Sequence, residues 1–190
     1  DLAGDGLPHR VPLFGFTAAA KVRLVVRAEL AEAAILASVQ ANAAPQPLLA
    51  GPVELIRDGG AAGRSTLLFT APGAEFELGW GAEPELRVNR DAWQKDEEAG
   101  MLGSWRTSDR HVRVGLANLG AAAHAVEIEE RIPVSEVAQV KIEFDAERTT
   151  PKAKPDADGI VRWSLIVSAR GQAHIDLQWK MSSKDSVKTG

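Results

Sequence analysis

Five segments in the second half of the chain alternate apolar with polar residues: Val112-Val114-Leu116, Val126-Ile128, Val140-Ile142-Phe144, Val161-Trp163-Leu165-Val167 and Ile175-Leu177-Trp179. Between them stand charged, polar or small side chains, among them Arg113, Glu127, Lys141, Glu143, Arg162, Ser164, Asp176 and Gln178. Neighbours on a strand point to opposite faces, so each segment predicts a β-strand with one buried and one solvated face. Trp163 and Trp179 share the inward register and are predicted core anchors.

The first half follows the same pattern in shorter pieces. Lys21–Arg27 is a β-branched run. AELAEAAILASVQANAA is read as strand over 33–41, although its alanines also suit a helix over 28–38. Val53–Arg57 and Arg64–Thr70 flank Asp58-Gly59-Gly60, a hairpin signal because such a turn needs positive φ. Phe76–Leu78 and Glu85–Val88 each follow a glycine-bearing turn. Residues 91–104, DAWQKDEEAGMLGS, lack alternation and predict a linker or long loop. ERTTPKAKPDADG predicts a second irregular stretch, and the tail SSKDSVKTG is expected to be disordered.

The predicted fold is all-β, antiparallel and sandwich-like, with about ten strands and no interleaved helices to support parallel crossovers. Its expected parts are a β-rich unit over 10–90, a linker or long loop over 91–105, an immunoglobulin-like β unit over 106–181 and a disordered tail over 182–190. A single continuous sandwich is the alternative. VQANAAPQPLLAGPVEL and VGLANLGAAAHAVEI share a strand, asparagine, turn, strand rhythm, which hints at two related units.

Composition narrows the function classes without selecting one. The 190 residues are 45% hydrophobic and 25% charged, with net charge −4. Residues 1–92 carry 8 basic and 11 acidic side chains and residues 93–190 carry 14 and 15, so neither half is a basic patch. Nucleic-acid binding and polybasic membrane docking therefore lack support. The absence of cysteine removes disulfides, thiolate zinc sites and cysteine nucleophiles. No stretch has the length of a membrane-spanning helix, so no direct membrane insertion is expected. DLAGDGLPHRVPLF is not a signal peptide, and the chain reads as an excised domain.

Candidate chemistry is sparse. His9, His111, His124 and His174 are not at metal-ligand spacing; His124 and His174 fall on the polar register and are read as solvated, and only the fold could bring two histidines together. Asp156 and Asp158 before Gly159 mimic the opening of a calcium loop, but the further oxygen ligands do not follow, and a turn is the simpler reading. Ser65 lies in GRST and not in a nucleophile elbow. Gly79 and Gly81 around Trp80 suit a bulge or bend. Glu97-Glu98 and Glu129-Glu130 are read as solvated charge, since adjacent strand residues cannot converge on one bond. Ser135 and Glu136 in IPVSE follow a proline at a strand end and have no partner base in view. Trp80, Trp93 and Trp105 are the candidate ligand surface, an aromatic platform for a sugar or peptide. No catalytic, cofactor-binding or metal residue is assigned, and no cofactor is expected.

DGLPHRVPL, PLLAGPVELIRDGGAAG, APGAEFELGWGAEPELRV, VGLANLG, IEERIPVSEVAQVKIEF and DGIVRWSL occur in the same order in the C-terminal domain of the mucoidy-inhibitor A family, which the chain resembles along nearly all of residues 5–181. The match departs at GGAAG, where members carry a bulkier residue after the hairpin turn. The resemblance implies a bacterial all-β domain of uncharacterised biochemical activity. It also implies an N-terminal domain and a coiled coil upstream, in many members an export signal, and hence a periplasmic or cell-envelope location. The expected function is that of a non-catalytic interaction or structural domain of a larger protein, its partner being another protein or its own upstream coiled coil. The alternatives are a carbohydrate-binding module, with polysaccharide as ligand, and a hydrolase whose site is assembled only in three dimensions.

Overall fold

The structure, a computed structural model, describes residues 12–96 and 105–184. Among them are eleven strands and no helix: β1 (Ala20–Val26), β2 (Ala34–Ala41), β3 (Gly51–Arg57), β4 (Gly60–Leu67), β5 (Glu75–Ala82), β6 (Leu86–Asp96), β7 (Trp105–Asn118), β8 (His124–Arg131), β9 (Val140–Phe144), β10 (Ile160–Val167) and β11 (Gln172–Lys184). They hydrogen-bond in the orders β10-β8-β1-β2-β5, β6-β7-β11-β9 and β3-β4. The chain divides into two compact units, Asp1–Val22 with Ser38–Trp80, and Arg23–Ala37 with Gly81–Gly190. The early segment Arg23–Ala37 thus belongs with the C-terminal strands, a division that hydrophobic pattern along the chain does not reveal.

In the larger unit, the inward register predicted for the second half forms the core of a sandwich. Val126, Ile128, Val161, Trp163 and Val167 come from β8 and β10, and Val112, Val114, Leu116, Ile175, Leu177 and Trp179 from β7 and β11. β7 and β11 are antiparallel from Ala117↔Gln172 to Trp105↔Lys184, and β8 and β10 from Arg131↔Ile160 to His124↔Val167. The pairing of β1 with β8 is parallel: Leu24, Val25 and Val26 of β1 lie beside Val126, Glu127 and Ile128 of β8. Leu24 and Val26 join the same core.

The strand expected over 33–41 is β2, Ala34–Ala41, and no helix forms over 28–38. The turn between β3 and β4 has positive φ at Asp58 (51°) and Gly59 (78°), as the tightest hairpin turn requires. Two irregular stretches differ from expectation. Residues 91–96 continue β6, because their charges and rings have direct partners across the ladder: Asp91↔Arg113, Trp93↔His111 and Lys95↔Asp109. The remainder of the linker reading, 97–104, lies outside the described residues. At the tail, Ser182–Lys184 extend β11 and are not disordered: Ser182 shares a hydrogen bond with Thr107 at 3.0 Å, and the Lys184 ammonium lies 5.6 Å from the Trp105 ring. Residues 185–190 lie outside the described part.

One corner is built twice, once in each unit. Asn42 follows β2 and Asn118 ends β7, and their side chains are 1% and 2% exposed. In each, Oδ1 accepts the N–H two residues on, from Ala44 at 3.0 Å and Gly120 at 2.9 Å. In each, Nδ2 donates to the carbonyl four residues on, of Gln46 at 3.0 Å and Ala122 at 2.7 Å. Nδ2 also donates to a distant strand end, Thr70 O or Val167 O, both at 3.2 Å. Those acceptors pair with the residue six beyond the asparagine, Leu48 and His124. Even the main chain agrees, with Asn42 N–H on Ala74 O and Asn118 N–H on Gly171 O, both at 2.9 Å. The shared rhythm in the sequence is a shared carboxamide-locked turn.

The core assignment predicts a contrast between two tryptophans. Trp163 is buried and its Nε1–H donates to Pro151 O at 2.8 Å, whereas Trp93 is 47% exposed on the outer face of the other sheet. Trp163→Ala should lower unfolding free energy by about 3–5 kcal/mol, and Trp93→Ala by much less, in urea titrations of the two variants. Equal small losses would mean that the faces are misassigned.

Candidate functional site

Strand alternation sorts the polar residues of the larger unit onto two surfaces. On the outer face of the β6-β7-β11 sheet, Asp91, Arg113 and Asp176 form one row, and Trp93, His111 and Gln178 the next. Asp176 is the hub. Arg113 donates Nε to Oδ1 at 2.8 Å and Nη2 to Oδ2 at 3.1 Å. His111 Nε2 lies 2.7 Å from Oδ1, and His174 Nε2 3.6 Å from Oδ2. The main chain of Asp176 bonds in both directions to Thr150. Burial pushes the Asp176 carboxyl up, but the hydrogen bonds and charges of Arg113 and His111 outweigh it and hold the group below the ordinary carboxylate value.

The fold therefore joins two of the predicted histidines at one carboxylate, the convergence that spacing alone left open. The side chains it gathers are bonded to one another. Asp176 is tied by a two-point guanidinium clamp. Thr149, adjoining the cluster, is fully buried, and its hydroxyl already donates to Asp145 O at 2.7 Å and accepts from Gln178 N–H at 3.3 Å. The His111 ring packs against Trp93, centroid to centroid 3.7 Å. Among the described residues no group of three His, Asp or Glu side chains could hold a metal ion.

The inner face carries a different group. Glu130, expected to be solvated, is 2% exposed. Its neighbour Glu129 does lie on the opposite face, bonded to Arg27 at 2.7 Å. Glu130 points inward because it shares the register of Val126 and Ile128, and it is tolerated there because Arg90 of β6 reaches it with three hydrogen bonds of 3.1, 3.2 and 3.1 Å. Burial pushes its carboxyl above the ordinary value, Arg90 pulls it back only in part, and Glu29 adds to the rise. Beyond this pair the sheet opens into a cleft of about 300 Å³ bordered by Arg90, Ala92, Trp93, Gln94, Arg110, His111, Val112 and Trp179.

The other candidates are dispersed. His124 Nε2 is 3.3 Å from Glu85 Oε2 and is largely covered, and His9, like Glu97 and Glu98, lies outside the described residues. Asp156 caps its own turn, accepting the N–H groups of Asp158 and Ile160, and pairs with Arg162 at 2.6 Å. Ser135 is half-buried and bonds within its own loop, to Val137. Trp80 is half-buried, its Nε1–H donating to Ser38 Oγ at 2.7 Å. Trp105 is half-buried with the Lys141 ammonium 4.9 Å from its ring. Trp93 and Trp105 share the outer face, but His111, opposite Trp93, is six residues along β7 from Trp105. At the rise of a strand that places them roughly 20 Å apart.

The family model of a domain of unknown function, DUF4139, matches residues 2–183. The chain belongs to the DUF4139 family. No curated protein and no solved structure matches it. The match takes in residues of both units, so the DUF4139 domain includes both asparagine corners, the Asp176 cluster and the cleft. Sequence reasoning missed Arg90, Arg110, Arg113 and Asp176 as a group. The one available signal was register: Asp176 and Arg113 each sit one step out of phase with a core residue on strands that could pair.

The lowered Asp176 carboxyl sets a direction for acid sensitivity. A carboxyl whose folded value lies below its unfolded one contributes stability that is complete above the unfolded value, about pH 4, and is lost as pH falls through the folded value. Asp176→Asn should therefore cost about 2 kcal/mol at pH 7. The gap from the parent should close progressively below pH 4 or so, when both are denatured with urea across a pH series. A gap unchanged by acid would contradict the assignment.

Proposed function

We propose that this DUF4139 domain is a non-catalytic interaction or structural module of a larger bacterial protein of the mucoidy-inhibitor A kind, acting at the cell envelope. The observation that carries the reading is the self-satisfied state of the His111–Asp176–Arg113 cluster. A hydrolase built on these residues needs a nucleophile within reach of the imidazole and a carboxylate free to orient it. Here the carboxylate is clamped by Arg113, and the hydroxyl of Thr149 is committed on both sides. The cluster is better suited to holding the β7–β11 ladder rigid.

The partner on this reading is a protein or the molecule's own upstream coiled coil, which the ordered run of family motifs supports. Carbohydrate binding has weaker support: of Trp80, Trp93 and Trp105, only Trp93 is exposed, and a sugar platform generally uses more than one ring face.

The test is a photo-crosslinking amino acid at position 93 of the full-length protein in living cells. The expected adduct is a single defined protein, or the protein's own upstream segment. A polysaccharide adduct, or turnover of an ester or glycoside that disappears in His111→Ala, would contradict the proposal. Diffuse adducts without a saturable product would count against it equally.

A further inference from the structure

The cleft beside the Arg90–Glu130 pair has an unbalanced charge. Two guanidinium groups border it. Arg90 is neutralised by its three bonds to Glu130. Arg110 donates Nε to Ser108 Oγ at 3.2 Å and has no carboxylate partner among the described residues. Among the described residues the cleft therefore presents one guanidinium not paired with a carboxylate, a planar group whose remaining N–H donors suit two-point recognition of a carboxylate.

A second, independent sign lies directly across the ladder. Trp179 is paired with Arg110 in the β7–β11 register, borders the same cleft, and is buried. A buried indole N–H normally finds an acceptor. Those of Trp163 and Trp80 do, on Pro151 O and Ser38 Oγ. That of Trp179 has none among the described residues. A guanidinium without a carboxylate partner and a sealed, unsatisfied indole N–H thus stand on adjacent strands beside one opening. The apolar wall consists of the Trp179 ring, Val112 and Ala92, with the Gln94 side chain at the rim. Trp93 and His111 also border the cleft, although in the β6–β7 register they alternate with Ala92, Gln94, Arg110 and Val112.

We propose that this cleft binds a carboxylate joined to an apolar body. The carboxylate pairs with Arg110 and offers the Trp179 N–H its missing acceptor after a small turn of the ring, while the apolar part lies on Trp179, Val112 and Ala92. A volume of about 300 Å³ fits one such side-chain-sized group. A free small acid and the C-terminal residue of a protein present the same chemistry. The inference deepens the proposed binding role by naming the ligand class, and it rests on that reading.

The experiment titrates the ¹⁵N-labelled 190-residue chain with N-acetylleucine, with N-acetylleucinamide as the uncharged control, and with acetyl-Gly-Gly-Gly-Leu bearing a free carboxyl. Saturating shifts are expected at the Trp179 Nε1–H, the Arg110 Nε–H and the amides of residues 92–94 and 110–112, with none from the amide control. Arg110→Gln should weaken binding at least tenfold while leaving the Trp163 indole signal in place, which separates lost binding from lost fold. Tighter binding of the tetrapeptide would assign the ligand to a protein C-terminus, and equal binding to a small acid. Absence of saturable shifts, shifts located elsewhere, equal response to the amide control, or full binding by Arg110→Gln would overturn the inference. Any of these would leave the cross-linking result at position 93 standing on its own.

Discussion

The interaction on which the rest of this fold depends is the hydrogen bonding of a buried primary amide. A strand that must turn a corner strands its last carbonyls and N–H groups away from water, and each unsatisfied group costs about 1–3 kcal/mol. Asn118 settles several at once, accepting from Gly120 and donating to Ala122, Val167 and Ser168. It thereby ties the end of β7 to the start of β8 and the end of β10, which belong to the other sheet of the sandwich. Asn42 does the same for β2, Gln46 and Thr70 in the smaller unit. Aspartate has no donor for those carbonyls, and a longer glutamine would not keep the spacing.

Legibility in the sequence followed the physics of each region. Strands with one face in the core announced themselves, because Val112, Val114, Leu116, Ile175 and Leu177 must all be apolar. The end of β6 did not, because Ala92 and Gln94 line an open cleft and its stability comes from cross-strand partners that are distant in sequence. Ser182–Lys184 were hidden for the same reason. Glu130 was hidden by its type: only knowledge of Arg90 opposite makes an inward carboxylate reasonable. Membership of Arg23–Ala37 in the larger unit depends on the pairing of β1 with β8, about a hundred residues away, and local pattern carries no trace of it.

The same division governs the candidate site. The three tryptophans singled out by their position in turns and linkers turned out to serve different surroundings, with Ser38, His111 and Lys141 as their respective neighbours. The arginines that shape the charged features, Arg90, Arg110 and Arg113, carry no local motif at all. Both surfaces of the β6-β7-β11 sheet are thus assembled by register, from residues distant in sequence.

The measurement that tests this account most directly is solvent exchange of the asparagine side-chain amides, resolved by NMR. If each corner is closed by its carboxamide, the Nδ2 protons of Asn42 and Asn118 should exchange at least about a hundredfold more slowly than those of the exposed Asn89, in keeping with protection by native structure. Exchange of Asn118 at the rate of Asn89 would show that the corner is open and that the sandwich is held together by something else.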